Sequence, residues 1–480
     1  MKIVVGALTV ALFAVLGRVV WRRFTRRAAL RAVRRFRARI DRFKLTNKTY
    51  IAEALLGDEA VAAAVRAHAD AHGVAAALVW RRVRSYVNEI VPVFNLLAYY
   101  QYGYNLSRIL LNVFYKVEVT HVRASAFDRL PRESIVIYVM NHRSNADYVL
   151  ASYALAGQVA ISYAVGEWAR VFPLEYLFKS FGSYFIRRRY REPLYHTVLE
   201  RYVQLITRNG VTQGIFPEGG LTRDGKLRPP KIGLLDYALG VAREPGFMPR
   251  MYVVPVAINF DRVLEDRSLL RELRVQGGDR PSSRLSQLSE VLSYAGWSMV
   301  RLVSRRWRRY GTAAVVVGEP MPLAPWFDRL AERGEPLFGL DRTQRLGQVQ
   351  ELADDVMRRI GAIIPVTTVP LVAAALQTFD ADFVTRSALL DRIAEIRDSL
   401  QHHGCQLVDC HAAPAEILER AYQLLRMRRV IARTGEGFLI LPRGRELVSY
   451  YANSIAHLLG EFEVAVRARD ALPVHAVVDL

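Results

Sequence analysis

The stretch SIVIYVMNHRSNADYVLASYAL, residues 134–155, sets the fold class of the chain. It begins with a short run of β-branched and apolar residues, passes through a polar turn and continues with helical composition. The same apolar run closed by a breaker or a polar turn recurs in QGIFPEGG (213–220), YVVPVAINF (252–260) and AAVVVGEPM (313–321). Helical segments are predicted between these runs, at 147–157, 169–180, 192–208 and 231–243. Strands that alternate with helices predict an α/β fold with a mixed, partly parallel sheet flanked by helices.

Further regions are predicted on both sides of this sheet. A chain of 480 residues is long enough for two or three packed units. We predict a helical region at 46–120, the α/β domain at 121–325 and a helical C-terminal domain at 326–480. In the last region, GEGFLILPRG (435–444) is typical of a short hairpin between helices. A winged-helix fragment, and with it nucleic-acid binding, stays open as an alternative.

The net charge of +21 predicts an anionic partner, either nucleic acid, a lipid surface or a phosphorylated substrate. Twelve Arg or Lys residues and one acid lie between Arg18 and Lys44. Residues 3–21, which include Arg18, are otherwise almost all apolar, and nineteen helical residues span roughly 28 Å, close to the hydrocarbon thickness of a bilayer. We therefore predict a membrane anchor and a basic helix on anionic lipid at 1–45, with the rest on the cytoplasmic face of the plasma (inner) membrane. A cleaved signal peptide and a buried helix are the alternatives.

The two cysteines, Cys405 and Cys410, exclude a disulfide scaffold and suit a reducing compartment. They lie with three histidines in HHGCQLVDCH (402–411). Four residues separate the cysteines, which is not the usual spacing of a zinc site, and the sequence has no second Cys pair. Capped helix ends and buried thiols explain this segment better, so no metal site is predicted.

Polar residues follow the predicted strands at their carboxyl ends, where the ligands of α/β sheets bind. His142 lies in the turn after the first strand, and Asp147 lies in the first turn of the next helix. If Asp147 faces back, its carboxylate fixes the tautomer of His142 and leaves the other ring nitrogen as a base. Taken alone, the pair is more commonly a capping Asp beside an exposed His, so it needs support from elsewhere.

Basic residues at a second strand end give part of that support. FGSYFIRRRYREPLY (181–195) places Arg187 and Arg188 after an apolar run that follows Gly182. Guanidinium groups bind phosphate with two parallel hydrogen bonds. The alternative for some of these arginines is a solvated loop or a membrane-facing patch.

The segment FPEGGLTRDGKLRPPKIG (216–233) forms a third strand end. Gly219 and Gly220 allow backbone amides to approach a ligand closely. Arg223 and Lys231 add positive charge. Glu218 opposes phosphate binding unless its carboxylate holds a hydroxyl or an arginine.

Four motifs in this order resemble those of the glycerolipid acyltransferase superfamily: N-H-R-S-N-A-D, G-S-Y-F-I-R-R, F-P-E-G-G and V-P-V. Within it, the sequence is similar to the membrane-bound bacterial glycerol-3-phosphate acyltransferases and the related dihydroxyacetone-phosphate acyltransferases. P-P-K-I-G-L-L (229–235) and LVSYYANSIAHLL (447–459) support that branch. The resemblance covers roughly residues 85–325 well and the tail more loosely.

The resemblance implies roles for these residues. His142 is expected to be the general base and Asp147 its orienting partner. The expected substrate-binding residues are Gly182, Arg187, Arg188, Glu218, Gly219, Gly220, Arg223, Lys231 and Pro255, of which Pro255 is linked to the acyl donor and the others to the acceptor. Many relatives carry an arginine where this chain has Leu221, so we expect Arg223 or Lys231 to take its place on the phosphate.

The implied reaction moves a fatty acyl group from an acyl thioester, acyl-CoA or acyl-carrier protein, to the 1-hydroxyl of glycerol 3-phosphate, giving lysophosphatidate. No cofactor is expected beyond the thioester co-substrate. The expected partners are the acyl donor, glycerol 3-phosphate, anionic membrane lipids and acyl carrier protein, without nucleic acid. Acylation of lysophosphatidate or dihydroxyacetone phosphate is the first alternative, and a non-catalytic basic membrane or nucleic-acid-binding protein is the second.

Overall fold

A computed structural model describes residues 48–92, 104–155, 161–166, 178–179, 182–187, 190–276 and 309–460. The predicted membrane anchor and basic helix at 1–45 lie outside these residues, as does most of the predicted helix 169–180. Among the residues that the structure describes, no helix is both long enough and apolar enough to cross a bilayer.

Among the described residues, four helices precede the main sheet: α1 (Lys48–Leu56), α2 (Glu59–His72), α3 (Ala76–Ile90) and α4 (Tyr104–Phe114). Asp58 caps α2 by accepting from its first amides, and Gly73 ends that helix in the left-handed conformation. In α3, Val79, Val83 and Val87 recur every four residues and are buried. This apolar stripe packs α3 against the rest of the fold.

In the described part of the chain, the main sheet has eight strands: β1 (Lys116–His121), β2 (Ile135–Met140), β3 (Ser162–Gly166), β4 (Tyr184–Ile186), β5 (Gln213–Ile215), β6 (Met251–Phe260), β7 (Thr312–Val317) and β8 (Met321–Pro322). Their order is β1-β7-β6-β2-β5-β3-β4, with β8 beside β6. β6 runs antiparallel to β7 and β8, and all other neighbours are parallel. The predicted mixed, partly parallel sheet is therefore confirmed.

Helices connect and cover these strands: α5 (Ser125–Asp128), α6 (Asp147–Leu155), α7 (Pro193–Arg208), α8 (Gly233–Leu239) and α9 (Asp266–Gln276). Every residue of β2, β3 and β7 is buried, as expected of strands with both faces covered. The helices predicted at 192–208 and 231–243 are confirmed as α7 and as α8 with the 3-10 turn that follows it.

Pro255 lies within β6, a central strand, whereas a sheet edge or a bulge is the usual place for a strand proline. On one side of β6, Val139 of β2 lies opposite Pro255. On the other side, β7 pairs from Val256 onward and β8 pairs only up to Val253. Pro255 faces the gap between them, where its carbonyl accepts from the amide of Gly318 at 2.8 Å. The missing amide hydrogen therefore costs the sheet no ladder hydrogen bond.

The chain after the main sheet is mostly helical, with six helices among its described residues: α10 (Ala324–Glu332), α11 (Arg342–Ala362), α12 (Thr368–Gln377), α13 (Arg386–His402), α14 (Pro414–Met427) and α15 (Gly444–Asn453). Three short strands, β9 (Phe383–Thr385), β10 (Ile431–Thr434) and β11 (Gly437–Ile440), form an antiparallel sheet. The hairpin predicted between two helices is confirmed, because β10 and β11 lie between α14 and α15.

Helix α15 closes against the loop that follows β5. The side-chain amide of Asn453 donates to the carbonyl of Asp224 at 2.8 Å. Gly225 has a φ of +87°, and a Cβ at this position would overlap the carbonyl oxygen of Tyr450. Both the backbone conformation and the close approach therefore require glycine here.

Replacing Gly225 by Ala is expected to lower the free energy of unfolding by about 2–4 kcal/mol, because the new methyl group meets the backbone of α15 at a positive φ. Gly233→Ala is the matched control, since a Cβ there meets nothing within 4 Å. Chemical denaturation followed by circular dichroism measures both variants. Equal losses in the two variants would contradict the close contact between Gly225 and α15.

Candidate active site

The loop between β2 and α6, residues 141–146, is wound around one carboxylate oxygen, and we call it the His142 loop. Oδ2 of Asp147 accepts from Nδ1 of His142 at 2.9 Å and from the amides of Arg143 at 2.6 Å and Ser144 at 2.9 Å. Asp147 is the first residue of α6 and is fully buried. His142 thus precedes the helix and Asp147 faces back to it, which is the arrangement that their five-residue spacing requires.

The imidazole of His142 is held by two aromatic rings as well as by Asp147. Its centroid lies 4.5 Å from the ring centroid of Phe216 and 5.3 Å from that of Tyr148, and the side chain is 1% exposed. A carboxylate only accepts hydrogen bonds, so the hydrogen shared with Asp147 belongs to Nδ1. Nε2 is then the nitrogen that can take a proton from a substrate.

Two further contacts fasten the His142 loop to its neighbours. The side chain of Asn141 donates to the carbonyl of Ile258 in β6 at 2.9 Å, and its Oδ1 accepts from the Ile258 amide at 2.7 Å. The amide of Thr222 donates to the carbonyl of His142 at 3.2 Å. The loop is therefore held by β6 on one side and by the loop after β5 on the other.

Glu218 supports this loop from the end of β5. Its Oε1 accepts from the amide of His142 at 2.9 Å, and the residue is 1% exposed. Burial raises the pKa of Glu218 to about 7, although the nearby guanidinium of Arg143 acts in the opposite direction. The carboxylate of Glu218 therefore accepts a hydrogen bond from the backbone of the His142 loop.

Arg143 is a buried cation that sequence reasoning missed. Its side chain is almost fully buried, and its guanidinium donates to the carbonyls of Gly225 and Ser454, the second at 3.2 Å. Ser454 directly follows α15. Arg143 therefore ties the His142 loop to the C-terminal region, and its place inside the N-H-R-S motif was the available signal.

Glu265 is the second residue that sequence reasoning missed. Its carboxylate accepts from Oγ of Ser144 at 2.7 Å and from the amide of Asn145 at 3.2 Å. Burial raises the pKa of Glu265, and the Ser144 hydroxyl opposes that shift. No local pattern marks this acid, and the only signal was its position five residues after the carboxyl end of β6.

The pairing of the strands places His142, Glu218 and Arg187 at the same level, in one row along the carboxyl edge of the sheet. The pairing of β2 with β5 puts His142 and Glu218 at the same level. The β5–β3 and β3–β4 registers continue this row to Arg187. Three strand spacings of about 4.8 Å separate β2 from β4, so roughly 14 Å lies between the backbones at His142 and Arg187.

Arg187 is held by an acid from the helical region before the sheet. Nε and Nη2 of its guanidinium donate to the two carboxylate oxygens of Glu89 at 2.9 and 2.6 Å. The guanidinium carbon also lies 4.9 Å from the ring centroid of Tyr190 and 5.6 Å from that of Tyr86. Two donors are therefore committed to Glu89 in α3, and within the described chain Nη1 is the terminal nitrogen left for another anion.

The other residues predicted to bind the acceptor lie in two places: Gly219, Gly220 and Lys231 are beside Glu218 in this row, whereas Gly182 is at the opposite, amino end of β4. Gly182 has a φ of +81° just before β4, and Gly219 has a φ of +66° just after Glu218, with Gly220 next in the same turn. A Cβ at Gly219 would meet the side chain of Lys231, which therefore lies over this glycine. Arg188 lies outside the described residues.

Three other residues singled out from the sequence have their described contacts with groups other than His142. Nε of Arg223 pairs with a carboxylate oxygen of Glu272 in α9 at 3.0 Å. Pro255 lies within β6, level with Val139 and below the His142 loop. Leu221, found where many relatives have arginine, is half-buried and packs against the hydrophobic core.

Metal ligands do not cluster in the part of the chain that the structure describes, since no three His, Cys, Asp or Glu side chains come together there to hold an ion. Cys405 and Cys410 are free thiols, and burial raises the pKa of both.

The raised pKa of Glu218 predicts a pH dependence of stability. Between its ordinary value of 4.5 and about 7, the folded state keeps a proton that the unfolded state has released. This stabilisation is complete below pH 4.5 and is lost as the pH rises to about 7. Glu218→Gln keeps an oxygen for the His142 amide and is expected to lose less stability than the native protein between roughly pH 5 and 8.

Thermal unfolding measured across that range tests this expectation. Glu332→Gln, which removes an exposed acid in α10, is the control and should follow the native curve. If Glu218→Gln also follows the native curve, the pKa of Glu218 is not raised.

Two family models match separate regions of the chain. Residues 121–259 match the sequence model of the acyltransferase family, and residues 296–461 match that of the glycerol-3-phosphate acyltransferase C-terminal region. The chain is 27% identical over 429 residues to the glycerol-3-phosphate acyltransferase of Aeromonas hydrophila, an alignment that covers 86% of this chain and 50% of that protein. This chain therefore spans about half the length of the curated relative it matches.

Among solved structures, the 1-acyl-sn-glycerophosphate acyltransferase of Thermotoga maritima is 18% identical with a TM-score of 0.30, over 55% of this chain and 79% of that one. We draw nothing further from so distant a likeness. The two matched regions, in this order, and the long alignment with the Aeromonas protein lead to one conclusion. Along both regions, this chain is similar to glycerol-3-phosphate acyltransferases, and the matches support an acyltransferase of that type.

Proposed function

We propose that the protein transfers a fatty acyl group from an acyl thioester to the 1-hydroxyl of glycerol 3-phosphate, giving lysophosphatidate and a free thiol. The observation that carries this proposal is the buried pair of His142 and Asp147, joined at 2.9 Å at the carboxyl edge of a mostly parallel sheet. The name of the Aeromonas relative, glycerol-3-phosphate acyltransferase, supports the choice of acceptor.

In the proposed reaction, Nε2 of His142 takes the proton of the acceptor hydroxyl as its oxygen attacks the thioester carbonyl carbon. Asp147 keeps the hydrogen on Nδ1 and stabilises the imidazolium that forms. The tetrahedral intermediate then breaks its carbon–sulfur bond, and the imidazolium returns the proton to the leaving thiolate. No acyl-enzyme is needed, because the acceptor brings its own nucleophile.

The phosphate of the acceptor needs cations near this row of residues. Arg187 retains Nη1 for an anion while Glu89 fixes the orientation of its guanidinium. Lys231 is exposed and lies over Gly219, beside the turn that carries Glu218. Arg223 is directed to Glu272 in α9, whereas Lys231 lies over the glycine turn. We therefore assign to Lys231 the phosphate contact that an arginine at position 221 would make.

We also propose that residues 1–45 attach the protein to the cytoplasmic face of the inner membrane. The support is their sequence alone, an apolar stretch followed by a dense basic segment that suits anionic lipid. Attachment there would bring a water-soluble acceptor and an apolar acyl chain together at the surface where the product belongs.

Removing the base tests the mechanism. His142→Ala is expected to lower acyl transfer by about 10²–10⁴-fold, and Asp147→Asn by a similar order, because Asn cannot stabilise the imidazolium. Thiol release from an acyl thioester, measured with and without glycerol 3-phosphate, gives the rates. Glu332→Gln serves as an exposed control. Full activity of His142→Ala would exclude this residue as the base.

The acceptor is tested by comparing three compounds with one donor. Glycerol 3-phosphate is expected to be acylated faster than dihydroxyacetone phosphate or lysophosphatidate, and Lys231→Ala is expected to raise the KM for glycerol 3-phosphate about tenfold. Product chromatography identifies what is made. Product formed from lysophosphatidate alone would replace the proposed acceptor.

A further inference from the structure

A cavity of about 670 Å³ opens between the first turns of α9, the turn from α14 to β10 and the turn from β11 to α15. Five of its ten lining residues are arginines, and the only acid among them is Glu446. The arginines are Arg267, Arg271, Arg428, Arg429 and Arg443. The other lining residues are leucines and a proline. We call it the arginine cavity.

Arg428 shows that this cavity is built into the fold. Its side chain is only 9% exposed, and Nη2 pairs with Oδ1 of Asp266 at 2.6 Å. Asp266 is fully buried and also accepts from the hydroxyl of Tyr451 in α15 at 2.8 Å. Within the described chain, Nε of Arg428 has no hydrogen-bond partner. Asp266 compensates the charge of this guanidinium, and the unpartnered Nε is a donor available for an acceptor outside the described chain.

Arg429, which also lines the cavity, has an unusual backbone conformation. Its φ of 53° lies in the left-handed region, at the turn that ends α14. Glycine is the residue usually found at such a position, and another residue there costs on the order of 1 kcal/mol. As a result, the successive residues Arg428 and Arg429 both line the cavity.

The lining defines the chemistry of the ligand. Guanidinium groups bind phosphate oxygens in pairs, and several together suit more than one phosphate. The apolar walls, which include Leu441 and Pro442, suit a flat and less polar part of the same molecule. The volume falls within the roughly 300–1,000 Å³ of small-molecule sites. A nucleotide with several phosphates has both of these parts.

The arginine cavity shares a wall with the candidate active site. α9 begins directly after Glu265, whose carboxylate accepts from Oγ of Ser144 in the His142 loop at 2.7 Å. This wall follows β6, whereas Arg187 follows β4 on the other side of β2. Phosphates bound in the cavity would thus approach His142 from the side opposite the proposed acceptor phosphate.

We propose that the arginine cavity binds the phosphorylated nucleotide end of the acyl donor, which makes the donor a coenzyme A thioester. This inference rests on the proposed acyl transfer. The long, flexible pantetheine arm of such a donor separates its phosphates from the thioester, so the phosphates can occupy the cavity while the carbonyl carbon reaches His142.

The test compares two double variants of the full chain with equal loss of charge. Arg429→Ala with Arg443→Ala removes two exposed arginines of the cavity, and Arg329→Ala with Arg333→Ala removes two exposed arginines elsewhere. Binding of adenosine 3′,5′-bisphosphate, measured by calorimetry, needs no catalysis. We expect the cavity variant to bind it roughly tenfold or more weakly and the control to bind it like the native protein.

Kinetics provide the second arm. The KM for acyl-CoA is expected to rise about tenfold in the cavity variant, with kcat little changed, whereas acyl-pantetheine, which lacks the nucleotide, should show no difference. Unchanged nucleotide binding and KM in an active enzyme would overturn the cavity assignment and leave the acyl transfer intact. The assignment would also be overturned if the cavity variant lost only its activity with acyl-carrier protein or only its binding to anionic vesicles. Arginine-dependent nucleotide binding by a protein inactive in acyl transfer would support the nucleotide site and reject the proposed reaction.

Discussion

One oxygen atom, Oδ2 of Asp147, fixes the geometry on which the rest of the site depends. It accepts from the His142 ring and from the amides of Arg143 and Ser144, so the loop after β2 closes around it. A loop with three donors directed at one buried atom has little freedom to adopt another conformation. The imidazole is therefore positioned before any substrate arrives, and the protein spends no binding energy on arranging its base.

The acids of this basic protein position its cations. Glu89 holds Arg187, Glu272 holds Arg223 and Asp266 holds Arg428. An arginine paired in this way has lost part of its net attraction for an anion, but its remaining N–H groups point in a fixed direction. The site thus favours oriented hydrogen bonds over a diffuse positive field, which suits the discrimination of one phosphorylated compound from another.

The parts of the site that follow strands could be predicted from the sequence, because a parallel sheet aligns strand ends by geometry alone. His142, Asp147 and Glu218 belong to this class. Glu89 and Glu265 could not be predicted, since each contacts the site across a large sequence distance and no local pattern records such a contact. The position of Pro255 in a central strand could not be predicted either, because it depends on where the pairings of β7 and β8 with β6 end.

Contacts between distant residues were also beyond sequence-based prediction in the C-terminal region. Its hairpin and its helices could be read from periodicity and turn residues. The contacts of Arg143 with Ser454 and of Asn453 with Asp224 depend on how two separate regions pack, which periodicity does not encode. Leu221 was recognised from the sequence as an unexpected residue in its motif, but only the structure shows that it packs against the core.

The bond from Arg143 to Ser454 joins residues 311 positions apart and ties assembly of the site to the timing of translation. At synthesis rates of about 5–20 residues per second, the His142 loop leaves the ribosome roughly 15–60 s before its C-terminal partner. During that interval the sheet can form, but the buried guanidinium has only part of its acceptors. A ribosome that stalls before α15 therefore releases a chain whose His142 loop keeps its contacts with Asp147, β6 and the loop after β5 but lacks the contact between Arg143 and Ser454.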